Sequence, residues 1–197
     1  MFKKQLTISP QSLKKEFLRK TIHISIAFLP VIAGWNFIFA VVLLSAGILF
    51  YTVNEAARVN GRQTVISRVT NLASRPYETG FVFGPVTLGL GALTALLYYP
   101  DPAATVAIYA LAFGDGFASL AGKFFNRKTI PAVREKTLAG SFACFTAVLI
   151  SSNFVLGNFQ IALIAALTAT ILELLPSGDF DNIIIPVGTG MIINLLT

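Results

Sequence analysis

Seven blocks of apolar residues, at about 22–35, 36–54, 84–100, 103–125, 138–156, 159–175 and 182–197, take up most of this 197-residue chain. Several approach the roughly 20 residues that a helix needs to cross a bilayer. Composition agrees: 55% of residues are hydrophobic, 12% are charged and the mean hydropathy is +0.74, whereas charged residues make up about a quarter of an ordinary soluble domain. The expected fold is all-α, a polytopic integral membrane protein of about seven transmembrane helices. The sixth and seventh blocks are short, which makes either a candidate for a tilted or re-entrant segment.

Charge sets the expected orientation, because positively charged loops near helix ends stay on the cytoplasmic side. The charged residues gather in four groups: the N-terminal segment, Glu55 to Glu78, Asp115 to Lys136, and Glu173 to Asp181. Only Asp101 stands apart. With the N-terminus inside and seven crossings, all four groups fall on the cytoplasmic face, and Asp101 falls outside with the turns near Gly34-Trp35-Asn36 and Ser152-Asn153. The expected location is the cell membrane, multi-pass, with any active site on its cytoplasmic side.

Other classes are disfavoured. The first apolar block follows a basic amphipathic arm, residues 1–20, and lacks a small-residue cleavage site, so no removable signal peptide is expected. A single cysteine, Cys144, excludes an internal disulfide and a cysteine-based zinc site. No repeat or linker divides the chain, so one domain is expected over 1–197, with the membrane core at 21–197. The net charge of +6 suits anionic headgroups or a polyphosphate, although topology alone also demands basic loops. No nucleic-acid partner is expected.

Several ionisable residues exceed what topology requires. In "RKTIH", Arg19 and His23 stand one turn apart on the first helix; in "NEAARVNGR", Glu55 and Arg58 are spaced for a local ion pair. Asp115 is harder to place as mere structure. It lies about two turns, roughly 12–15 Å, inside the end of the fourth block, at a depth where a carboxylate costs about 2.5–3.5 kcal/mol and turns to a partner or a wet cavity. Gly114, Ala118 and Gly122 recur every four residues beside it and let a helix approach closely, within the chain or in a dimer. Asp115, Ser119 and Gly122 share one helical face.

Two further clusters follow. "VREKTLAGSF" places Arg134, Lys136, Thr137, Gly140 and Ser141 at the start of the fifth block, where free N–H groups and the helix dipole favour an anion. It is not a P-loop: Gly116 to Gly122 has one residue too many, and Lys123 precedes Phe124 rather than Ser or Thr. In "ELLPSGDFDNIIIP", Glu173, Asp179 and Asp181 flank a Pro-Ser-Gly turn. Asp179, Asp181 and Asn182 offer hard oxygen ligands suited to Mg²⁺, or Asp181 simply caps the last helix.

Taken in order, "RKTIH", "NEAAR", "GDGFASLAGKFF", "KTLAGSFA" and "ELLPSGDFDNIIIP" resemble the polyprenol kinase family of dolichol, phytol and CTP-dependent diacylglycerol kinases, from Arg19 to Pro186. The resemblance implies transfer of the γ-phosphate of CTP to the hydroxyl of an isoprenoid alcohol or diacylglycerol, with Mg²⁺ or another divalent metal. It implies catalytic roles for Asp115 and Lys136, and phosphate contacts from Lys123, Arg134, Lys136, Thr137, Gly140 and Ser141. Metal ligands would be Asp115, Asp179, Asp181 and Asn182, and Arg19, His23, Glu55, Arg58, Ser119 and Glu173 would line the pocket. Whether Asp115 binds metal or acts on the hydroxyl stays open. The nearest alternative is phosphatidate cytidylyltransferase, but "SGDFDN" lacks the arginine between paired aspartates that such enzymes carry. A small transporter or lipid-binding scaffold comes third, because polar groups do not extend to both faces.

Overall fold

The computed structural model describes residues 10–64, 67, 80–125, 129–130 and 133–197, with the side chains of 10–14, 129–130 and 133–135 outside that description. The first helical rod is α1, Pro10–Ser25, continued by a 3-10 turn, Ile26–Phe28, and α2, Leu29–Trp35. Asn36 breaks it. Its extended backbone turns the chain, and its side chain accepts a hydrogen bond from Phe39 N at 2.9 Å, capping α3, Phe37–Val59.

Next come α4, Gly84–Tyr98, and a long rod made of α5, Ala103–Tyr109, a π-helical turn, Ala110–Asp115, and α6, Gly116–Phe124. Strands β1, Thr129–Ile130, and β2, Val133–Thr137, form a small antiparallel ladder that leads into α7, Leu138–Leu156. Gly157 adopts a left-handed φ of 60° and closes α7, and Asn158 caps α8, Phe159–Glu173. A 3-10 turn, Gly178–Phe180, precedes α9, Asp181–Asn194.

The chain is an all-α membrane protein apart from that ladder. Among the described residues, four stretches are long and apolar enough to cross a bilayer: Lys15–Trp35, Phe37–Val59, Ala103–Phe124 and Leu138–Leu156. Helices α4 and α8 are shorter apolar helices, and α9 has 14 residues. The rod Ala103–Phe124 lies at the centre and is mostly buried, whereas α3 lies at the periphery and is scarcely buried.

The core is made of small residues. Ala103, Ala110, Ala118, Ala165, Ala166 and Ala169 pack with Val106, Val148 and Ile185, while large side chains such as Trp35, Phe142 and Phe154 point outward. Close backbone approach supplies dispersion contacts where water provides no hydrophobic driving force. The Gly114-Ala118-Gly122 stripe serves this internal packing. A methyl group on Gly114 would meet Val148 and Cys144, one on Gly140 would stand 2.8 Å from the Ala118 carbonyl oxygen, and one on Gly122 would stand 2.9 Å from Thr137 Oγ1. The stripe is the seat of α7 and its cap.

Alternation of the rods brings the polar ends together. Tyr51 and Glu55 near the end of α3 bond Val82 ahead of α4, Lys136 ahead of α7 meets Glu173 at the end of α8, and Asp181 opens α9. Asp101 sits beyond the opposite end of α4, where it accepts a 2.6 Å hydrogen bond from Thr105.

Candidate functional site

Asp115 closes the π turn and is buried, with 7% exposure. Lys20 Nζ stands 2.5 Å from its Oδ2, and His23 Nε2 stands 3.3 Å from the same oxygen and donates to the Leu111 carbonyl oxygen at 2.9 Å. A π turn shifts carbonyls out of the ordinary α register, and such turns recur at functional sites. Gly116 makes room for α1: a Cβ there would lie 2.8 Å from Ile24.

The face of α1 that supplies these partners reads inside out relative to a soluble helix. Glu16, Lys20 and His23, spaced four and three apart, are buried, whereas Phe17, Leu18 and Ile22 are exposed. In a bilayer the apolar face meets lipid and the polar face turns inward. Glu16 then gathers two cations, Arg19 at 2.5 Å and Lys123 in a short ion pair. Sequence spacing does not single out Lys20 and Glu16 as site residues, and Arg19 and Lys123 meet Glu16 rather than Asp115. Burial of the charged positions 16, 20 and 23, one helical face, is the signal that identifies them.

The second charged centre surrounds Lys136, whose Nζ lies 2.8 Å from Asp181 Oδ2 and 2.9 Å from Glu173 Oε1. Burial alone would lower the pKa of Lys136, but the Glu173 and Asp181 carboxylates outweigh it and hold the ammonium above the ordinary lysine range. Lys136 therefore stays charged throughout the physiological pH range. Asp181 also accepts a short hydrogen bond from Ser177 Oγ, so its side chain turns to Lys136 rather than capping α9. Glu173 is 4% exposed, and its Oε2 is buried with no hydrogen-bond partner among the described residues. The π turn that ends at Asp115 packs against α7, α8 and α9, the helices that Lys136 precedes, Glu173 ends and Asp181 opens.

The Thr137 side chain is engaged in holding the helix start, where its Oγ1 caps α7 by accepting from Gly140 N at 3.0 Å. Ser141 Oγ bonds back to the Thr137 carbonyl oxygen at 3.3 Å, and Ser119 is half-buried on α6. The side chain of Arg134 lies outside the described residues; its backbone belongs to β2.

On the α4 side, Asn182 Nδ2 donates to Thr87 Oγ1 at 2.9 Å and to the Gly84 carbonyl oxygen at 3.2 Å, while Asp179 borders Gly84. Glu55 is fully buried and holds Arg58 through two bonds of 2.7 and 2.8 Å, and it accepts from Val82 N. Arg58 also donates to the Gly80 carbonyl oxygen. This clamp ties α3 to the entry of α4. Arg58→Ala leaves a buried carboxylate with one backbone donor, so a stability loss of about 2–3 kcal/mol is expected. Thermal melting in detergent measures it, and Glu55→Gln should cost less because it leaves no buried charge.

Among the described residues no three His, Cys, Asp or Glu side chains stand together as a metal cage. Mg²⁺ needs no such cage, since it uses one or two carboxylates together with phosphate oxygens and water. The carboxylates of Glu173 and Asp181 around Lys136, with one buried oxygen unsatisfied, suit that donor chemistry.

Sequence comparison finds curated relatives. The chain is 29% identical over 121 residues to a probable chloroplastic phytol kinase of Triticum aestivum, covering 53% of this chain and 40% of the relative. It is 31% identical over 96 residues to CTP-dependent diacylglycerol kinase 1 of Eremothecium gossypii, covering 49% and 30%. The CTP-dependent diacylglycerol kinase 1 of Schizosaccharomyces pombe is 25% identical over 146 residues, covering 72% and 67%. The match thus spans less than half the length of the first two relatives. No protein-family model and no solved structure matches the chain.

Proposed function

We propose that this chain, a relative of the phytol and CTP-dependent diacylglycerol kinases in the polyprenol kinase family, is a membrane kinase that transfers the γ-phosphate of CTP to a lipid hydroxyl. The observation that carries the proposal is the pair of buried charged centres at one end of the helices, Asp115 with Lys20 and His23, and Lys136 with Glu173 and Asp181. Phosphoryl transfer asks a protein mainly to position two substrates and to compensate phosphate charge.

Each centre has a part. The Lys20 ion pair and the His23 contact of Asp115 both fall on Oδ2, so Oδ1 is the oxygen assigned to the lipid hydroxyl, which it orients and relieves of its proton. Lys20 and His23 hold that carboxylate in place. Lys136 compensates phosphate charge, aided by Gly140, Ser141 and the first turn of α7; Lys123 and Arg134 are assigned to the nucleotide phosphates as well. Glu173, Asp179, Asp181 and Asn182 are the oxygen ligands assigned to a divalent metal. When bound, that metal neutralises charge on the nucleotide phosphates. Arg19, Glu55, Arg58 and Ser119 support the walls of the pocket.

A lipid substrate fits the setting, because its hydroxyl lies at headgroup level while its tail stays among apolar helix faces. The acceptor is proposed as an isoprenoid alcohol or diacylglycerol, and the reaction as taking place on the cytoplasmic face of the cell membrane. Purified protein with Mg²⁺, CTP labelled at the α- or γ-phosphate, and a panel of phytol, polyprenols, diacylglycerol and phosphatidate tests this. Label from the γ position is expected on a lipid alcohol. Label from the α position on phosphatidate would instead make the protein a cytidylyltransferase, and transfer to neither would overturn both enzymatic readings.

A further inference from the structure

We propose that Glu173 and Asp181 form a divalent-cation site in which the Lys136 ammonium stands as place-holder, and that an arriving metal ion expels Lys136 from between the two carboxylates.

The ammonium bridges carboxylates from two different helices, at 2.9 Å from Glu173 at the end of α8 and 2.8 Å from Asp181 at the start of α9. One ammonium there faces two carboxyl groups, which when both ionised carry one negative charge more than it offsets. Lys20 does not correct the imbalance, because it already stands on Asp115. The remaining carboxylate charge is matched by a dication.

Hydrogen bonding leads to the same place independently. Buried polar atoms are nearly always bonded, and leaving one unsatisfied costs about 1–3 kcal/mol. Glu173 Oε2 is such an atom, on a side chain with only 4% exposure. An ammonium has three donors and reaches only Oε1 of this carboxylate, whereas a magnesium ion accepts carboxylate oxygens, water and phosphate around a full octahedron. Ser177 Oγ meanwhile binds Asp181 Oδ1, which leaves Oδ2, the oxygen now on Lys136, turned toward the shared position.

The exchange gives Lys136 two successive partners. Before metal binds, it prevents the two carboxylates from repelling each other and holds α8 to α9. Once displaced it remains tethered beside Thr137 at the start of α7, where its charge is available to the anion that accompanies the metal. A nucleotide as that anion rests on the proposed function; the cation site itself does not. Metal binding would thereby license the lysine for phosphate.

Mn²⁺ binding to the purified full chain in detergent, followed by electron paramagnetic resonance without nucleotide, tests the site separately from activity. Removing the competing ammonium with Lys136→Met should tighten Mn²⁺ binding by about tenfold or more, since the open site is then fully populated. Glu173→Gln should weaken binding by about tenfold or more in either background, and Mg²⁺ should compete for the same site. Equal or weaker binding by Lys136→Met overturns the exchange. Unchanged binding by Glu173→Gln overturns the site, and that variant keeps the test decisive if Lys136→Met fails to fold. Mn²⁺ binding as expected in a chain that transfers no phosphate would overturn the kinase proposal while leaving the cation site in place.

Discussion

Asp115→Asn is expected to lower γ-phosphate transfer by at least about a hundredfold, the scale of a lost proton-transfer group. It should also cost stability. Asparagine keeps the shape of the side chain but leaves Lys20, 4% exposed, without the carboxylate that sits 2.5 Å from it. Removing one partner of a buried pair costs about 3–5 kcal/mol, whereas replacing both can be nearly neutral. Adding Lys20→Met to Asp115→Asn should therefore recover most of the melting temperature without recovering turnover. Recovery of both would make Asp115 a structural anchor for α1; near-normal turnover in the single variant would remove it from the chemistry altogether.

Part of the helical layout is legible in the sequence because several apolar blocks begin or end at a residue with a local physical reason to do so. Asn36 turns the first rod into α3, Thr137 opens α7, Gly157 ends it in a left-handed conformation, and Asn158 starts α8. The repeat of Gly114, Ala118 and Gly122 likewise indicates a close helix approach. Its partner is not legible, because the repeat specifies a narrow groove without specifying what fills it. The π turn over Ala110–Asp115 leaves no mark in the periodicity either, since one widened turn shifts the phase by less than the ambiguity of an almost wholly apolar segment.

The site follows the same division. Asp115 stands out because a carboxylate at that depth demands a partner, but its partner, Lys20, lies 95 positions away. Local spacing favours Arg19 with His23, which are one turn apart; the packing of α1 against Gly116 selects Lys20 and His23 instead, and turns Arg19 to Glu16. In the same way the "KT" pair suggests two phosphate contacts, whereas the structure divides the labour. Thr137 caps a helix, and Lys136 joins α8 to α9. Sequence shows which residue types are present. Which cation meets which carboxylate depends on long-range packing.

Gly91→Ala should be the most damaging change among the apolar helices. A Cβ on Gly91 of α4 would lie 1.9 Å from the carbonyl oxygen of Asn182 and 2.9 Å from its carbonyl carbon, both backbone atoms of α9. Backbone cannot swing aside as a flexible side chain does, so α4 and α9 must separate by something on the order of 1 Å, at a cost near or above the upper end of the 1–3 kcal/mol range for overpacking. The displacement strikes at Asn182 itself, loosening its bonds to Gly84 and Thr87 and drawing the neighbouring Asp181 from Lys136. Turnover and Mn²⁺ binding should therefore fall along with the melting temperature, although Gly91 touches no proposed substrate. Gly47→Ala in α3, where the added methyl meets nothing within 4 Å, supplies the control and should be neutral or stabilising by up to about 1 kcal/mol. If Gly91→Ala melts and turns over like that control, the contact between α4 and α9 does not set the position of Asp181.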